Sequence, residues 1–325
     1  MNSSPTSMLT IAWFCLIGIF LIFYVITDGF DLGVGILSLF TKKEEHRDSI
    51  FASIAHVWDA NETWLVALGG ALFGAFPGAY AMLLQSLYVP IMALIASLIL
   101  RGAAIEFRHA AHRKRGWDLI FGIGSLLAAL TQGVILGKVI TGLAPGIASE
   151  GFTVVAAVGV TAGYALLGAT YLVKKVSGQL EQIARRYTVI SMLLTAASAI
   201  LLSAGTMLFS PIVQARWAQP GVFHVLVALA TIAILSFVYI AYALRVGSVR
   251  GPFRASVLIF IVSFAGLAIS LFPSLIPGHL TVTAAASENP TLVFMLLGIG
   301  TVLPIMIGYN LYQYHVFRGK VVAHH

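Results

Sequence analysis

The chain has 325 residues, of which 59% are hydrophobic and only 10% charged, with a formal net charge of +7. Soluble domains carry about a quarter charged residues, so this composition excludes a water-soluble enzyme and predicts an all-α integral membrane protein. No polar stretch is long enough for a separate soluble domain, and 1–325 reads as a single polytopic membrane domain.

A helix needs about 20 apolar residues to cross some 30 Å of hydrocarbon. Nine such runs occur, near 9–40, 50–76, 78–100, 117–140, 152–173, 187–209, 220–244, 255–275 and 291–315. The first two exceed a minimal span, which allows tilt. Residues 9–26 have no basic leader and no small-residue cleavage site, so they read as a retained first helix rather than a signal peptide. Pro77-Gly78 separates the second run from the third with almost no loop. The runs are continuously apolar rather than alternating, which argues against a β-barrel.

Basic residues set the expected orientation. All but Lys138 and Arg216 of the 19 Lys and Arg fall in the loops after runs 1, 3, 5 and 7, close to them, or in the C-terminal tail. By the positive-inside rule this places the N-terminus outside and the C-terminus in the cytoplasm. Basic loops facing an anionic leaflet account for the positive charge. No nucleic-acid partner is needed, even for the stretch Arg108-His109-Ala110-Ala111-His112-Arg113-Lys114-Arg115. The single cysteine, Cys15, excludes an intrachain disulfide and a thiolate metal site.

Carboxylates inside a membrane are costly and mark function by default. The first run holds Thr27-Asp28-Gly29-Phe30-Asp31-Leu32-Gly33-Val34-Gly35, with both aspartates three residues apart and able to share one helix face. Gly29 and Gly33 form a small-xxx-small pair for close helix contact. Asp28 is expected about 20 Å and Asp31 about 15 Å inward of Thr41, at 1.5 Å per residue. The plainer alternative is that they cap a broken helix or pair with a basic residue.

The second run holds His56-Val57-Trp58-Asp59-Ala60-Asn61-Glu62-Thr63-Trp64, with His56, Asp59 and Glu62 recurring every three residues. Asp59 is expected about 14 Å along a helix that starts at Ile50. Acids in series, with His and Thr as relays, are the ingredients of a proton path. Asp28, Asp59 and Glu62 are its leading candidates, with Asp31 and His56 as weaker ones. A dinuclear metal centre would need Glu-x-x-His on two helices, and only the second run combines His with acid, so no metal site is assigned.

Arg101 closes the third run and Glu106-Phe107-Arg108 follows. The plainer reading is a positive-inside anchor with a local ion pair. The functional reading makes Arg101 and Arg108, with Trp64, the residues of charge compensation or of a subunit interface. Gln132 and Lys138 are interior-facing candidates, and Gly133 and Gly137 allow close packing. His109, His112, His224, His279, His315, His324 and His325 lie near the ends of runs or in loops, and the methionines are scattered filler. No axial haem ligand is assigned in this chain, and no phosphate loop, dinucleotide fingerprint, hydrolase elbow or zincin motif appears.

Three blocks resemble subunit II of cytochrome bd-type quinol oxidases: Thr27 to Gly35; Trp58-Asp59-Ala60-Asn61-Glu62-Thr63-Trp64 with Gly69-Gly70-Ala71-Leu72-Phe73; and Val316-Phe317-Arg318-Gly319-Lys320-Val321. The resemblance covers the whole chain. It implies a heterodimeric terminal oxidase of the respiratory chain in the bacterial cytoplasmic (inner) membrane. In it, subunit I holds two b-type haems and one d-type haem, oxidises quinol at the outer face and reduces oxygen to water, generating proton-motive force. Subunit II resembles its partner without the haem ligands and contributes acids to a cytoplasmic proton route, a role that falls on Asp28 and Asp59. Glu62 is an amide in some relatives. A small single-helix subunit and membrane lipid are further expected partners. Many relatives carry Trp-Asp where Val282-Thr283 stand here, so no role of that acid carries over, and the short chain resembles the cyanide-insensitive branch. The alternative from another class is a stand-alone proton-coupled secondary transporter, for which an inverted repeat would be the sign; a third is a purely scaffolding subunit.

Overall fold

A computed structural model describes residues 8–209 and 211–321; His324 and His325 lie outside them. The elements in order are α1 (Met8–Ser38), α2 (Glu44–Ile54), α3 (Trp58–Ala75), α4 (Pro77–Ser86), α5 (Tyr88–Ala110), α6 (Lys114–Ile140), α7 (Ile147–Lys175), α8 (Gly178–Phe209), α9 (Pro211–Trp217), α10 (Pro220–Arg245), α11 (Gly251–Leu271), the two-stranded ribbon β1 (Ser274–Ile276) and β2 (Leu280–Thr281), α12 (Val282–Ala285) and α13 (Asn289–Val316). The helices α1, α5, α6, α7, α8, α10, α11 and α13 are each long and apolar enough to cross a membrane. The pair α3 and α4, bent by 118° at Phe76, brings the possible total among the described residues to 9. The architecture is that of an all-α integral membrane protein.

The second apolar run is not one helix. It divides at Val57, where φ −128° and ψ −21° interrupt the spiral, and α3 begins at Trp58. The reason lies in the composition of α2, Glu-Glu-His-Arg-Asp-Ser-Ile-Phe-Ala-Ser-Ile, which is too charged to enter hydrocarbon and packs Arg47, Ile50, Phe51 and Ile54 inward. Asp59 therefore stands in the first turn of α3, where a negative charge favours the helix N-terminus, and not deep along a helix from Ile50. The third run also divides, at Leu87, and α5 continues through Arg101 to Ala110. Arg101 is thus interior to its helix, and its charge is met by acids of α1 and α3.

The second half of α1 is the axis of the fold. Every residue from Thr27 to Ser38 is buried, enclosed by α3, α6 and α7. Small residues make this possible. A Cβ on Gly33 would lie 1.8 Å from the carbonyl oxygen of Tyr164 on α7, and Gly168 returns the same close approach toward Gly33. The expected contact through Gly133 also forms: its Cβ would meet the Ala157 Cα at 2.4 Å, locking α6 to α7. Helices in a membrane gain stability through such packing because lipid tails supply no hydrophobic drive between them.

Candidate functional site: a buried carboxylate cluster around Arg101

Arg101, fully buried on α5, forks between two acids from other helices. Its Nη1 donates to Oδ1 of Asp28 on α1 at 2.5 Å, and its Nη2 to Oε2 of Glu62 on α3 at 2.9 Å. The guanidinium plane suits this double recognition, which an ammonium could not reproduce. Asp28 is wholly buried, whereas the Glu62 side chain is 26% exposed, so the pair connects the interior to the surface of α3.

Asp31 follows Asp28 by three residues and is also fully buried. Its Oδ2 accepts from Asn61 Nδ2 at 2.8 Å, and the same amide reaches the Thr27 carbonyl at 3.3 Å. Tyr314 on α13 donates to Asn61 Oδ1 at 2.6 Å, so Asn61 is held on both sides. One turn toward the other end of α1, the Tyr24 hydroxyl accepts from Gln132 Nε2 at 2.9 Å, and Tyr164 donates to Gln132 Oε1 at 2.6 Å. Gln132 is therefore interior-facing, as its sequence position predicts. Trp64 is buried, stacks on Phe23 with ring centres 4.6 Å apart and donates to Asn310 at 3.3 Å.

Among the described residues the cluster sets one cation against three carboxylates, and Asp28 Oδ2, Asp31 Oδ1 and Arg101 Nε find no hydrogen-bond partner there. Each buried ion costs several kcal/mol unless paired, and one guanidinium cannot neutralise three acids.

Asp59 does not join the cluster. It is exposed on α3, one turn before Glu62, and its carbonyl accepts the Thr63 hydroxyl at 3.0 Å. His56 is exposed in the break before α3. Its ring stacks on Phe317 at 4.4 Å and its carbonyl accepts from Gln313, which ties the break to the end of α13. Arg108 does not reach the cluster either: two turns beyond Arg101, it pairs with Asp118 at 2.6 Å and Asp48 at 2.7 Å, over the Phe51 ring. Arg47 holds the other oxygen of Asp118 at 2.7 Å. No local pair with Glu106 forms among the described residues. Lys138 pairs with Glu150 at the far end of α6.

Asp118 is the anchor of a second buried charge group, and sequence reading did not single it out. The available signal was an acid at the very start of an apolar run, where Arg47 and Arg108 flank it in space but not in sequence. Tyr24, Tyr314 and Asn310 were missed for the same reason: single polar residues in apolar runs are common, and only their neighbours make them notable. Among the described residues no group of three His, Cys, Asp or Glu side chains has a metal-binding arrangement.

The chain matches the family model for cytochrome bd terminal oxidase subunit II over residues 9–317. Cytochrome bd ubiquinol oxidase subunit 2 of Bacillus subtilis (strain 168) is 27% identical over 330 residues, which covers 95% of this chain and 96% of the relative. Cytochrome bd-I ubiquinol oxidase subunit 2 of Escherichia coli (strain K12) is 37% identical over 140 residues, 42% of this chain and 37% of that one. In the solved bd oxidase of Geobacillus thermodenitrificans, one chain shares the fold with a TM-score of 0.75 at 20% identity, covering 95% of this chain and 99% of its own. The family match runs from α1 through α13 and takes in both acid-bearing helices, so the chain belongs to the cytochrome bd terminal oxidase subunit II family, multi-pass proteins of the bacterial inner membrane that serve respiratory oxidoreductase complexes.

Proposed function

We propose that this chain pairs with a haem-bearing subunit I in a quinol:oxygen oxidoreductase and delivers protons to it through the acids of α1 and α3. The observation that carries the reading is a gradient of exposure: Asp59 open on the surface, Glu62 partly open, Asp28 closed, with Arg101 joining the last two. Carboxylates do not face lipid, so the face of α3 that bears Asp59 and Glu62 meets protein or water. The same face carries exposed Val66 and Phe73, apolar surface that a membrane partner would cover.

In the orientation set by the positive-inside rule, Asp59 lies toward the cytoplasmic side and collects protons there. Glu62 passes them to the Arg101–Asp28 pair, and Asp31 with Asn61 and Tyr314 forms a branch of the same network. With Arg101 balancing one carboxylate, the other acids hold charge neutrality only when protonated, which makes the cluster a proton store. Protons taken from the cytoplasm, with quinol protons released outside by subunit I, build proton-motive force without a pump.

The family resemblance implies two b-type haems, a d-type haem and a quinone site in the complex. The donors gathered here are three carboxylates and a guanidinium, with no imidazole or thiolate, and do not fit a haem iron. The family resemblance assigns the haems to the partner, and no step through them is placed in this chain.

The test uses the intact complex carrying Asp59→Asn, Glu62→Gln or Asp28→Asn. Haem absorption should remain normal while quinol-driven oxygen consumption falls by about a hundredfold, the low end for a positioned proton-transfer group. Wild-type turnover and proton uptake in all three variants would leave a scaffolding subunit as the correct reading.

A further inference from the structure

A second charged feature lies away from the carboxylate cluster. Lys174 at the end of α7, Arg250 and Arg254 at the start of α11, and Arg318 just beyond α13 line a pocket of about 300 Å³ together with Phe253. Among the described residues none of these four cations has a carboxylate within ion-pair distance. The Lys174 ammonium rests over the Phe253 ring at 5.0 Å and the Tyr171 ring at 6.0 Å instead, a contact that orients a cation without neutralising it.

The pocket is held open by a frame that uses other residues. Arg185 donates to the carbonyls of Leu244, Gly247 and Ser248 at 3.4, 3.1 and 3.3 Å, bracing the turn between α10 and α11. Lys175 donates to the carbonyls of Phe317 and Gly319, and its own carbonyl accepts from Val321 at 2.8 Å, which pins the segment after α13 beside α7. Glu181, the acid of this region, is engaged by Arg185 and Lys320, each at 2.9 Å. The supporting residues thus satisfy one another, and four positive charges remain directed at one cavity. The N-terminus of α11 adds the positive end of its helix dipole at the same place.

The surroundings identify where an anion would come from. Below Arg254 on α11, Leu258 and Ile261 are exposed at the i+4 and i+7 positions, 41% and 44% open, so one helix face runs from guanidinium to bare hydrocarbon-facing side chains. A phosphate at the top and acyl chains below would satisfy both parts. We propose that this pocket seats the phosphate headgroup of an anionic phospholipid, with a headgroup carrying two phosphates matched best to four cations, and that its acyl chains lie along Leu258 and Ile261. Basic pockets between membrane helices bind such headgroups through the same pairing of charge and interface position. The site is independent of the proton route through Arg101.

The experiment uses the complex purified from its native membrane and placed in nanodiscs of phosphatidylcholine, with or without cardiolipin as the two-phosphate probe. Native mass spectrometry counts the lipids retained. Arg250→Gln, Arg254→Gln and Arg318→Gln together should lower cardiolipin retention by about a hundredfold, at roughly fivefold per basic residue near the interface, with phosphatidylcholine retention unchanged. Arg115→Gln, an exposed basic residue outside the pocket, should leave retention as in the wild type, and millimolar inorganic diphosphate should not displace the lipid. Arg254→Gln alone, at an exposed position, reads the same effect at about fivefold if the triple variant does not fold. Equal cardiolipin retention in the pocket variants, or an equal loss with Arg115→Gln, would overturn the proposal. Displacement by diphosphate would overturn it in favour of a soluble anion.

Discussion

Replacing Arg101 with glutamine removes the cation from a site that holds Asp28 and Glu62 within 2.5 and 2.9 Å of it. At about 4 Å between charge centres and an effective dielectric constant near 20, each pair is worth roughly 4 kcal/mol before desolvation is counted. Deleting one partner of such a buried pair costs about 3–5 kcal/mol, because the acid left behind is uncompensated. The Glu62 arm is partly open to solvent and screened, so most of that loss belongs to Asp28. The physical claim is coupling, and a double-mutant cycle reads it. Arg101→Gln with Asp28→Asn should recover about 2–3 kcal/mol of the loss, since neutralising the stranded acid removes its penalty. Arg101→Gln with Glu62→Gln should recover about 1 kcal/mol or less. The assay is denaturant unfolding of the purified complex in detergent, followed by tryptophan fluorescence. Additive single and double variants, within about 0.5 kcal/mol, would refute the picture of one guanidinium balancing acids from two helices.

Gly33→Ala should destabilise the chain by at least about 2 kcal/mol, the range for an overpacked contact that must be relieved by moving backbone. The added carbon would sit 1.8 Å from the Tyr164 carbonyl oxygen, and a melting temperature equal to wild type would contradict that contact. Asp48 titrates outside the membrane. Burial alone would raise its carboxyl, but Arg108 and Lys114 outweigh burial and hold it below the usual carboxylate range. A depressed folded value contributes stability above the unfolded value near 3.9 and loses it as pH falls through the folded value. The stability difference between wild type and Asp48→Asn should therefore be present at pH 7 and shrink below about pH 4; a difference that grows on acidification would show that these cations do not stabilise the carboxylate.

The membrane class, the number of apolar runs and the concentration of acids in the first two were legible in the chain because each rests on local composition. The close packing of α1 was legible too: Gly33 and its neighbours offer no side chain, and a helix with four polar residues in its buried half needs a protein wall around it. The pairing of the acids was not legible. Asp28 meets Arg101 across 73 residues and Glu62 meets it across 39, and helical periodicity says which face a residue occupies without saying which helix stands opposite. For that reason the sequence treated Asp28 and Asp59 as equals, whereas the fold buries one and leaves the other exposed at a helix start.

The break at Val57 shows the same division of labour. The charged residues of α2 are plain in the sequence, but they precede the second apolar run, whereas Ile50 to Ile54 of the same helix fall inside it and read as part of the span that follows. Only packing of Arg47 and Phe51 against Asp118, Arg108 and Phe121 decides that the helix ends there and a new one begins. Composition and short-range spacing determined that this protein lies in a membrane and carries acids it must shelter. Tertiary structure alone decided which of those acids share a cation and which stands open, because Coulomb energies and desolvation depend on distances between helices that no local pattern contains.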